Sequence, residues 1–424
     1  MMNRESNKTK TILFVHYGDE GIRGSERCLL NLFAHLDRQA YTPVLWCNSQ
    51  ELAMAARAMG VACHATPFSL LLGWGKPKFR LYGWWQLVRA GQRLIQSYRA
   101  DVVHCNSGAP CQWMHWAARW CQTPMLVHLH AHYSLRDRLS LGLYQAPLLV
   151  GVSDYVLSPF MQEGFSPDQC QIIPNGLDIQ ALEAVEAFPF RSTLGIPEHA
   201  IVLGYAGAML MEKGIDHLLN VTHRLIAKGY PVHLVLLGEG RDQQTFEAMA
   251  EKLNIHDRVH FAGQQADAIA WMKGGMDIYV SSAHSESFGL ALAEASLAGL
   301  PVVVNQIGGV GSVIKDQITG LLAATNNEVD LLAKIETLLS DPNLRQRLGA
   351  SGQNNVRENL TIEKYCQSFE ALYDVLASNT DAFPRLHKDW HLRAMSRGIL
   401  NFRPNRLTRF QAQRWLEEPC HGEK

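Results

Sequence analysis

Short apolar runs alternate with helical stretches along most of the chain, in two successive series, and this alternation restricts the fold more than any other feature. The first series comprises residues 11–16, 43–47, 102–104, 125–129 and 148–152. The second comprises residues 201–205, 232–237, 259–262, 277–280 and 301–304. Runs this short and apolar read as strands buried on both faces, and strand–helix alternation leads to parallel sheets. With 424 residues, 47% of them hydrophobic, each series can bury its own core. The economical reading is therefore α/β, with two doubly wound, Rossmann-like domains. The boundary is expected near residues 176–198, where Asn175-Gly176, Pro174, Pro189 and Pro197 punctuate the chain. In open sheets of this kind a ligand sits outside the carboxyl ends of the strands, so a cleft between the domains is the expected site.

Charge and cysteine content narrow the function classes. A net charge of −1 gives no electrostatic case for nucleic acid, which is not expected as a partner. Nine cysteines without a Cys-x-x-Cys pair fit a reducing, cytoplasmic compartment. Residues 1–10 are polar and lack the apolar centre of a secretory signal, and no apolar run reaches the roughly 18 residues of a spanning helix. Between Leu52 and Arg136, however, Asp101 is the sole acid among nine basic residues. Within that stretch, residues 68–85 interleave Phe68, Trp74, Phe79, Tyr82, Trp84 and Trp85 with Lys76, Lys78 and Arg80. Two readings stand equally: a patch for an anionic membrane interface, or a loop and helix packed on their own domain. From about residue 380 the composition turns basic, as in an appended arm.

Candidate chemistry concentrates in the second series. Residues 285–295, Ser-Glu-Ser-Phe-Gly-Leu-Ala-Leu-Ala-Glu-Ala, follow an apolar strand and open a helix. The free amides of Gly289 and Leu290, at the positive end of the helix dipole, suit phosphate oxygens. Glu286 precedes the helix and Glu294 lies inside it, roughly 8 Å along the axis from Gly289 at about 1.5 Å per residue. Two carboxylates at that spacing can grip opposite ends of a sugar joined to a diphosphate. The bland readings are a solvated helix carboxylate for Glu294 and helix charge compensation for Glu286. Lys213, in the turn Glu212-Lys213-Gly214, is placed to neutralise a diphosphate leaving group.

The first series offers His128, His130 and His132 at the end of a strand, on one face by alternation. A step of about 7 Å between them is too long for all three to meet one metal. His130 is the candidate to hydrogen-bond the transferred group. Gly24, in Gly21-Ile22-Arg23-Gly24-Ser25-Glu26, permits close backbone approach, with Ser25 able to cap the next helix. No Walker A sequence, Gly-x-Ser-x-Gly elbow, His-Glu-x-x-His or Asp-x-Asp occurs, and neither glycine loop spells Gly-x-Gly-x-x-Gly.

Taken as an ordered set, these residues resemble glycosyltransferase family 4, the retaining nucleotide-sugar transferases of GT-B architecture. The resemblance runs over about residues 11–373. It rests on Gly24-Ser25-Glu26, His130, Val152-Ser153, Pro174-Asn175-Gly176-Leu177-Asp178, Glu212-Lys213-Gly214, Leu237-Gly238-Glu239-Gly240, the 286–294 segment and Gly299-Leu300-Pro301-Val302. It implies an acceptor-binding domain over residues 1–180, a nucleotide-sugar domain over 181–362, a helix returning to the first domain over 363–380, and a basic extension over 381–424. It further implies that Gly24, Lys213, Glu286, Phe288, Gly289, Leu290 and Glu294 bind donor, with Glu294 on the ribose and Glu286 on the sugar. His130, Glu286 and Lys213 form the implied catalytic set, with no metal and no other cofactor, and neither glutamate acts as a covalent nucleophile. The implied acceptor is a glycan or lipid-linked glycan, met at the inner face of the membrane. Two departures stand out. Gly207-Ala208 replaces the Gly-Arg common in the family, so a second phosphate cation must come from elsewhere, Arg23 or Arg241 being candidates; and Ser312 replaces an acid. Ala208 keeps a non-catalytic sugar-nucleotide-binding scaffold in view, beside a nucleotide-sugar epimerase on the same architecture.

Overall fold

The computed structural model describes residues 9–18, 21–72, 79–378 and residue 395. Among these, two parallel sheets form. The first contains β1 (Lys10–His16), β2 (Tyr41–Cys47), β3 (Ala62–Ala65), β4 (Val102–Cys105), β5 (Met125–Leu129), β6 (Leu149–Gly151) and β7 (Cys170–Ile172), in the order β3-β2-β1-β4-β5-β6-β7. The second contains β8 (Ile201–Ala206), β9 (Val232–Leu237), β10 (Val259–Phe261), β11 (Ile278–Ser281), β12 (Val302–Asn305) and β13 (Leu321–Ala323), in the order β10-β9-β8-β11-β12-β13. The expected architecture of two doubly wound, Rossmann-like units is thus the observed one. In each sheet the strand order reverses beside the first strand, between β1 and β4 and between β8 and β11. A crevice opens at such a reversal because the flanking connections leave toward opposite faces.

Strand alternation divides the core of the first unit into two faces. Leu13 and Val15 point into one, with Trp46 and Trp113, while Ile12 and Phe14 point into the other, with Leu29 and Phe33. The helix Ile362–Ser378, although it follows the second sheet in sequence, closes that second face. Phe369 stacks on His104 at 5.0 Å and Tyr373 meets Phe14 edge-on at 6.2 Å. Lys10 Nζ pairs with Asp374 Oδ1 at 2.8 Å. The chain is strapped where it crosses back: Leu177 N–H donates to the Leu360 carbonyl at 2.8 Å and Ile362 N–H to that of Leu177 at 2.9 Å. The Pro174–Leu177 segment therefore serves this crossing.

Tyr373 OH also bonds His104 Nδ1 at 2.7 Å inside the core. Tyr373→Phe is expected to lower stability by about 1–3 kcal/mol in urea titration, because it strands a buried imidazole nitrogen. A change within error would mean that water reaches His104.

The basic extension at residues 381–424, save residue 395, and the 73–78 part of the aromatic-basic segment lie outside the described residues. What is described of that segment is residues 68–72, where Phe68 packs against Trp46 and Trp113 at 5.0 and 4.9 Å, and residues 79–85, which lead into the helix Leu81–Tyr98. That helix buries Leu87, Val88, Gly91 and Ile95 and leaves Leu81, Tyr82 and Trp85 exposed, as is Phe79 just before it. Among the described residues no helix is long and apolar enough to cross a membrane.

Candidate functional site

Both strand-order reversals carry candidate residues, and three contacts bring the reversals together. Gly24 opens the helix Gly24–His35 after β1, and a Cβ there would lie 3.2 Å from Leu290 Cδ1 of the second unit. Arg27 Nη1, one turn on, stands 3.7 Å from Glu294 Oε1. Ser153 Oγ, just past β6, donates to the Ser287 carbonyl at 2.6 Å. A helix start from each unit thus borders one cleft.

In the second unit, Lys213 and Glu286 converge from loops after β8 and β11. Lys213 Nζ donates to Glu286 Oε2 at 3.0 Å, both side chains being a little over a quarter exposed. A partly open pair of this kind adds only about 0.2–1 kcal/mol to stability. Backbone geometry does the positioning. Gly214 adopts φ +66°, and a Cβ there would run into the Ser282 carbonyl, so the turn closes only with glycine. Ser282 Oγ donates to the Gly214 carbonyl at 2.5 Å, His284 N–H to that of Glu212 at 3.0 Å, and Met211 N–H to Asp242 Oδ2 at 2.8 Å. The Glu286 carbonyl accepts from Gly309 N–H at 2.8 Å.

Next to this pair Gly289, at φ +97°, caps the helix Leu290–Leu297, whose first turn holds no acidic residue. Its leading amides lack intrahelical partners, so the positive end of the helix is left uncompensated. Phe288 is buried in the core and can offer a ligand only its backbone. Glu294 is largely buried: burial pushes its carboxyl up, Arg27 opposes this and Asp267 adds to it. Ala208 is exposed after β8 and brings no cation. Arg241 is well exposed, 3.8 Å from Asp242 Oδ2, while Arg23 caps the Gly24 helix at the cleft.

The first unit contributes a buried polar chain that sequence reasoning did not assemble. His16 Nε2 donates to Glu26 Oε1 at 2.7 Å, and His16 Nδ1 lies 3.1 Å from both the backbone carbonyl and the side-chain amide of Asn106. Asn106 Oδ1 in turn accepts from His130 Nε2 at 3.1 Å. Burial raises the Glu26 carboxyl, but the His16 hydrogen bond and charge, its own backbone and Ser25 outweigh it and bring the group down to about 2. His130 is pushed down to about 3 by burial, with His16 adding. Its imidazole is therefore neutral near pH 7, and with Nε2–H committed to Asn106 its Nδ1 is left as an acceptor. The signal for His16 and Asn106 was their place just at or after the ends of β1 and β4.

Of the three histidines, His128 and His130 lie side by side, their rings 4.0 Å apart, and His132 turns away. β5 ends at Leu129, so alternation stops before His130. His128 is fully buried against Phe369, His130 reaches the Asn106 chain, and His132 stacks on Tyr155 at 5.0 Å. Ser312 is half-buried in a short turn, its N–H donating to the Gly309 carbonyl at 3.0 Å.

Comparison with known proteins bears on the family and the fold. A family model described as Glycosyltransferase Family 4 matches residues 22–181, and one described as Glycosyl transferases group 1 matches residues 188–355. The chain is 25% identical over 244 residues to N-acetyl-alpha-D-glucosaminyl L-malate synthase of Bacillus anthracis, covering 57% of this chain and 64% of that protein. It is 28% identical over 184 residues to the lipopolysaccharide core biosynthesis glycosyltransferase LpsD of Rhizobium meliloti, covering 43% and 52%. The matched part thus spans about half to two thirds of these relatives. Among solved structures, HepE of Anabaena in complex with UDP superposes with a TM-score of 0.73 at 20% identity, over 86% of this chain and 100% of HepE.

Proposed function

The chain belongs to glycosyltransferase family 4 and has its GT-B architecture, and from that premise we propose that it transfers a sugar from a nucleoside diphosphate to a glycan or lipid-linked glycan acceptor. The observation that carries this reading is the Lys213–Glu286 pair at 3.0 Å beside the uncompensated start of the Leu290–Leu297 helix. A diphosphate gains charge as its bond to the sugar breaks. Lys213 and the Gly289 and Leu290 amides meet that charge, where preorganised donors lower a barrier most. Glu286 holds the sugar hydroxyls and Glu294 the ribose, Arg27 leaving Glu294 as the nucleotide enters. Neutral His130 accepts a hydrogen bond from the sugar through Nδ1, and the Asn106–His16–Glu26 chain fixes its orientation. Arg23, next to Gly24, is the better placed replacement for the cation missing at Ala208. Transfer proceeds with retention and without a catalytic metal, the leaving phosphate taking the acceptor proton.

That a relative is a lipopolysaccharide core transferase favours a cell-surface glycan acceptor. A lipid-linked acceptor agrees with the exposed Phe79, Leu81, Tyr82, Trp85 and Trp120, flanked by Arg80, Arg89 and Arg93. This face meets anionic lipid at the inner membrane surface. The chain is expected to sediment with vesicles containing anionic lipid, less so as salt rises, and Trp85→Glu is expected to weaken that binding. Equal recovery with neutral and anionic vesicles would remove the membrane reading without touching the transferase one.

The transferase reading is tested by incubating the chain with labelled nucleotide sugars and membrane glycolipid extract, with chelator present. Label moving to the acceptor supports it. Donor converted without acceptor would mark an epimerase, and donor bound without turnover would mark the scaffold that Ala208 keeps in view.

A further inference from the structure

Beside the Lys213 turn lies a second cluster with no part in the chemistry above. Asp216 and His217 open the helix Ile215–Ala227, and His284 comes from the loop after β11. One side-chain ligand atom from each lies within 4.8 Å of the others. His217 Nε2 is 3.9 Å from Asp216 Oδ2 and 3.8 Å from Glu328 Oε1, at the start of the helix Glu328–Ser340. The His217 and His284 rings meet edge-on at 5.0 Å.

The surroundings are those of a ligand set. His284 Nδ1 lies 2.7 Å from Asn326 Oδ1, an acceptor, so Nδ1 carries the proton and Nε2 keeps a free lone pair. Fixing the tautomer through the other ring nitrogen is how metal-binding imidazoles are usually oriented. Glu328 Oε1 is held by Asn220 Nδ2 at 3.1 Å. Asp216 Oδ1 is shielded from water yet has no hydrogen-bond partner among the described residues. Asp216 thus keeps one oxygen unpartnered while the other faces His217, and such a half-paired carboxylate among imidazoles can take a cation.

We propose that Asp216, His217 and His284, with Glu328 as the fourth ligand, form a zinc site. Two imidazoles with carboxylates suit Zn²⁺, whereas Mg²⁺ and Ca²⁺ favour oxygen alone. Tetrahedral Zn²⁺ with ligands at about 2.0–2.2 Å needs ligand atoms roughly 3.3–3.6 Å apart. Side-chain rotation of these half-buried residues supplies that contraction. The role is structural. Asp216 is three residues after Lys213 and His284 two before Glu286, so the ion clips together the same two segments that carry the diphosphate pair, without touching the bond that breaks.

The test uses the full chain stripped with chelator, and Zn²⁺ alone as the probe, so it is independent of any donor or acceptor. Titration calorimetry is expected to show one Zn²⁺ per chain and the thermal midpoint to rise. His284→Gln and Asp216→Asn are each expected to weaken binding by at least about tenfold, and His217→Ala with His284→Ala by about 100-fold or more. His284→Gln lies in a loop, so it still reports if the double variant fails to fold. Cobalt(II) in place of zinc is expected to give tetrahedral visible bands without the near-ultraviolet thiolate band that cysteine ligation would produce. No bound metal at equilibrium, a thiolate band, or affinity unchanged in His284→Gln would overturn the site and leave a His–carboxylate ion-pair cluster. Any of these outcomes leaves the transferase reading where its own assays put it.

Discussion

Lys213→Ala is expected to lower kcat/KM at least tenfold while the protein stays folded. Under the proposed function the variant removes a cation aimed at charge that grows on the leaving diphosphate, so the loss falls mainly on the transition state. Tenfold corresponds to about 1.4 kcal/mol; loss of one preorganised donor of this kind reaches about 10²–10³-fold in other enzymes. The fold does not depend on it, since the pair with Glu286 is over a quarter exposed on both sides and contributes little to stability. Glu286→Gln keeps the shape and removes the charge, and is expected to fall at least tenfold as well. Steady-state kinetics beside a urea titration separates the two effects. Turnover like wild type in folded variants would remove both residues from the catalytic set.

Stability is expected to fall steeply once the pH drops below about 6.5. Burial holds His104 and His128 well below the ordinary imidazole value, and His130 at about 3. Each is neutral in the folded chain and protonates in the unfolded one, so below about pH 6.5 the unfolded state binds more protons. A lowered folded value means that the stability is fully present above the unfolded pKa and is lost as pH falls toward the folded one. Three such histidines give a slope of up to about 4 kcal/mol per pH unit once the unfolded chain is fully protonated. Glu26, at about 2 in the fold, adds a further loss below about pH 4.5 with the same sign. The check is urea denaturation from pH 8 to pH 5, where a flat profile down to pH 5 would mean these histidines are hydrated. His104→Gln should flatten the slope.

The central strands of both sheets were legible in the sequence, and three of the four sheet edges were not. β1, β2, β4, β5 and β6, and β8, β9, β11 and β12, are apolar runs because both faces of a central parallel strand are covered, and the edge strand β10 was read with them. β3, β7 and β13 escaped notice. Each is an edge strand of three or four residues, and β3 and β7 are largely open, so burial imposes no apolar run on them. The grouping of Lys213, Glu286 and the start of the Leu290 helix was partly legible because its parts are local: a strand end, a glycine turn and a helix start. Lys213 and Glu286 each announced themselves this way, though not that they touch. The polar chain from Glu26 through His16 and Asn106 to His130 was not legible, because its members come from β1, the Gly24 helix and the ends of β4 and β5, and sequence spacing does not report which strands are neighbours. The Arg27–Glu294 contact was hidden for the same reason, since it joins the two units.

The central claim, that the cleft holds a nucleoside diphosphate sugar, is tested most directly by thermal denaturation of the chain as purified with UDP-, GDP-, ADP-, CMP- and dTDP-sugars in turn. A ligand bound only by the folded state at about 100 times its Kd adds about 2.7 kcal/mol of stability. The site predicts a selective rise with one diphosphate donor and little with the single phosphate of a CMP-sugar. No rise with any of them, at concentrations that stabilise an authentic family 4 transferase, would contradict it.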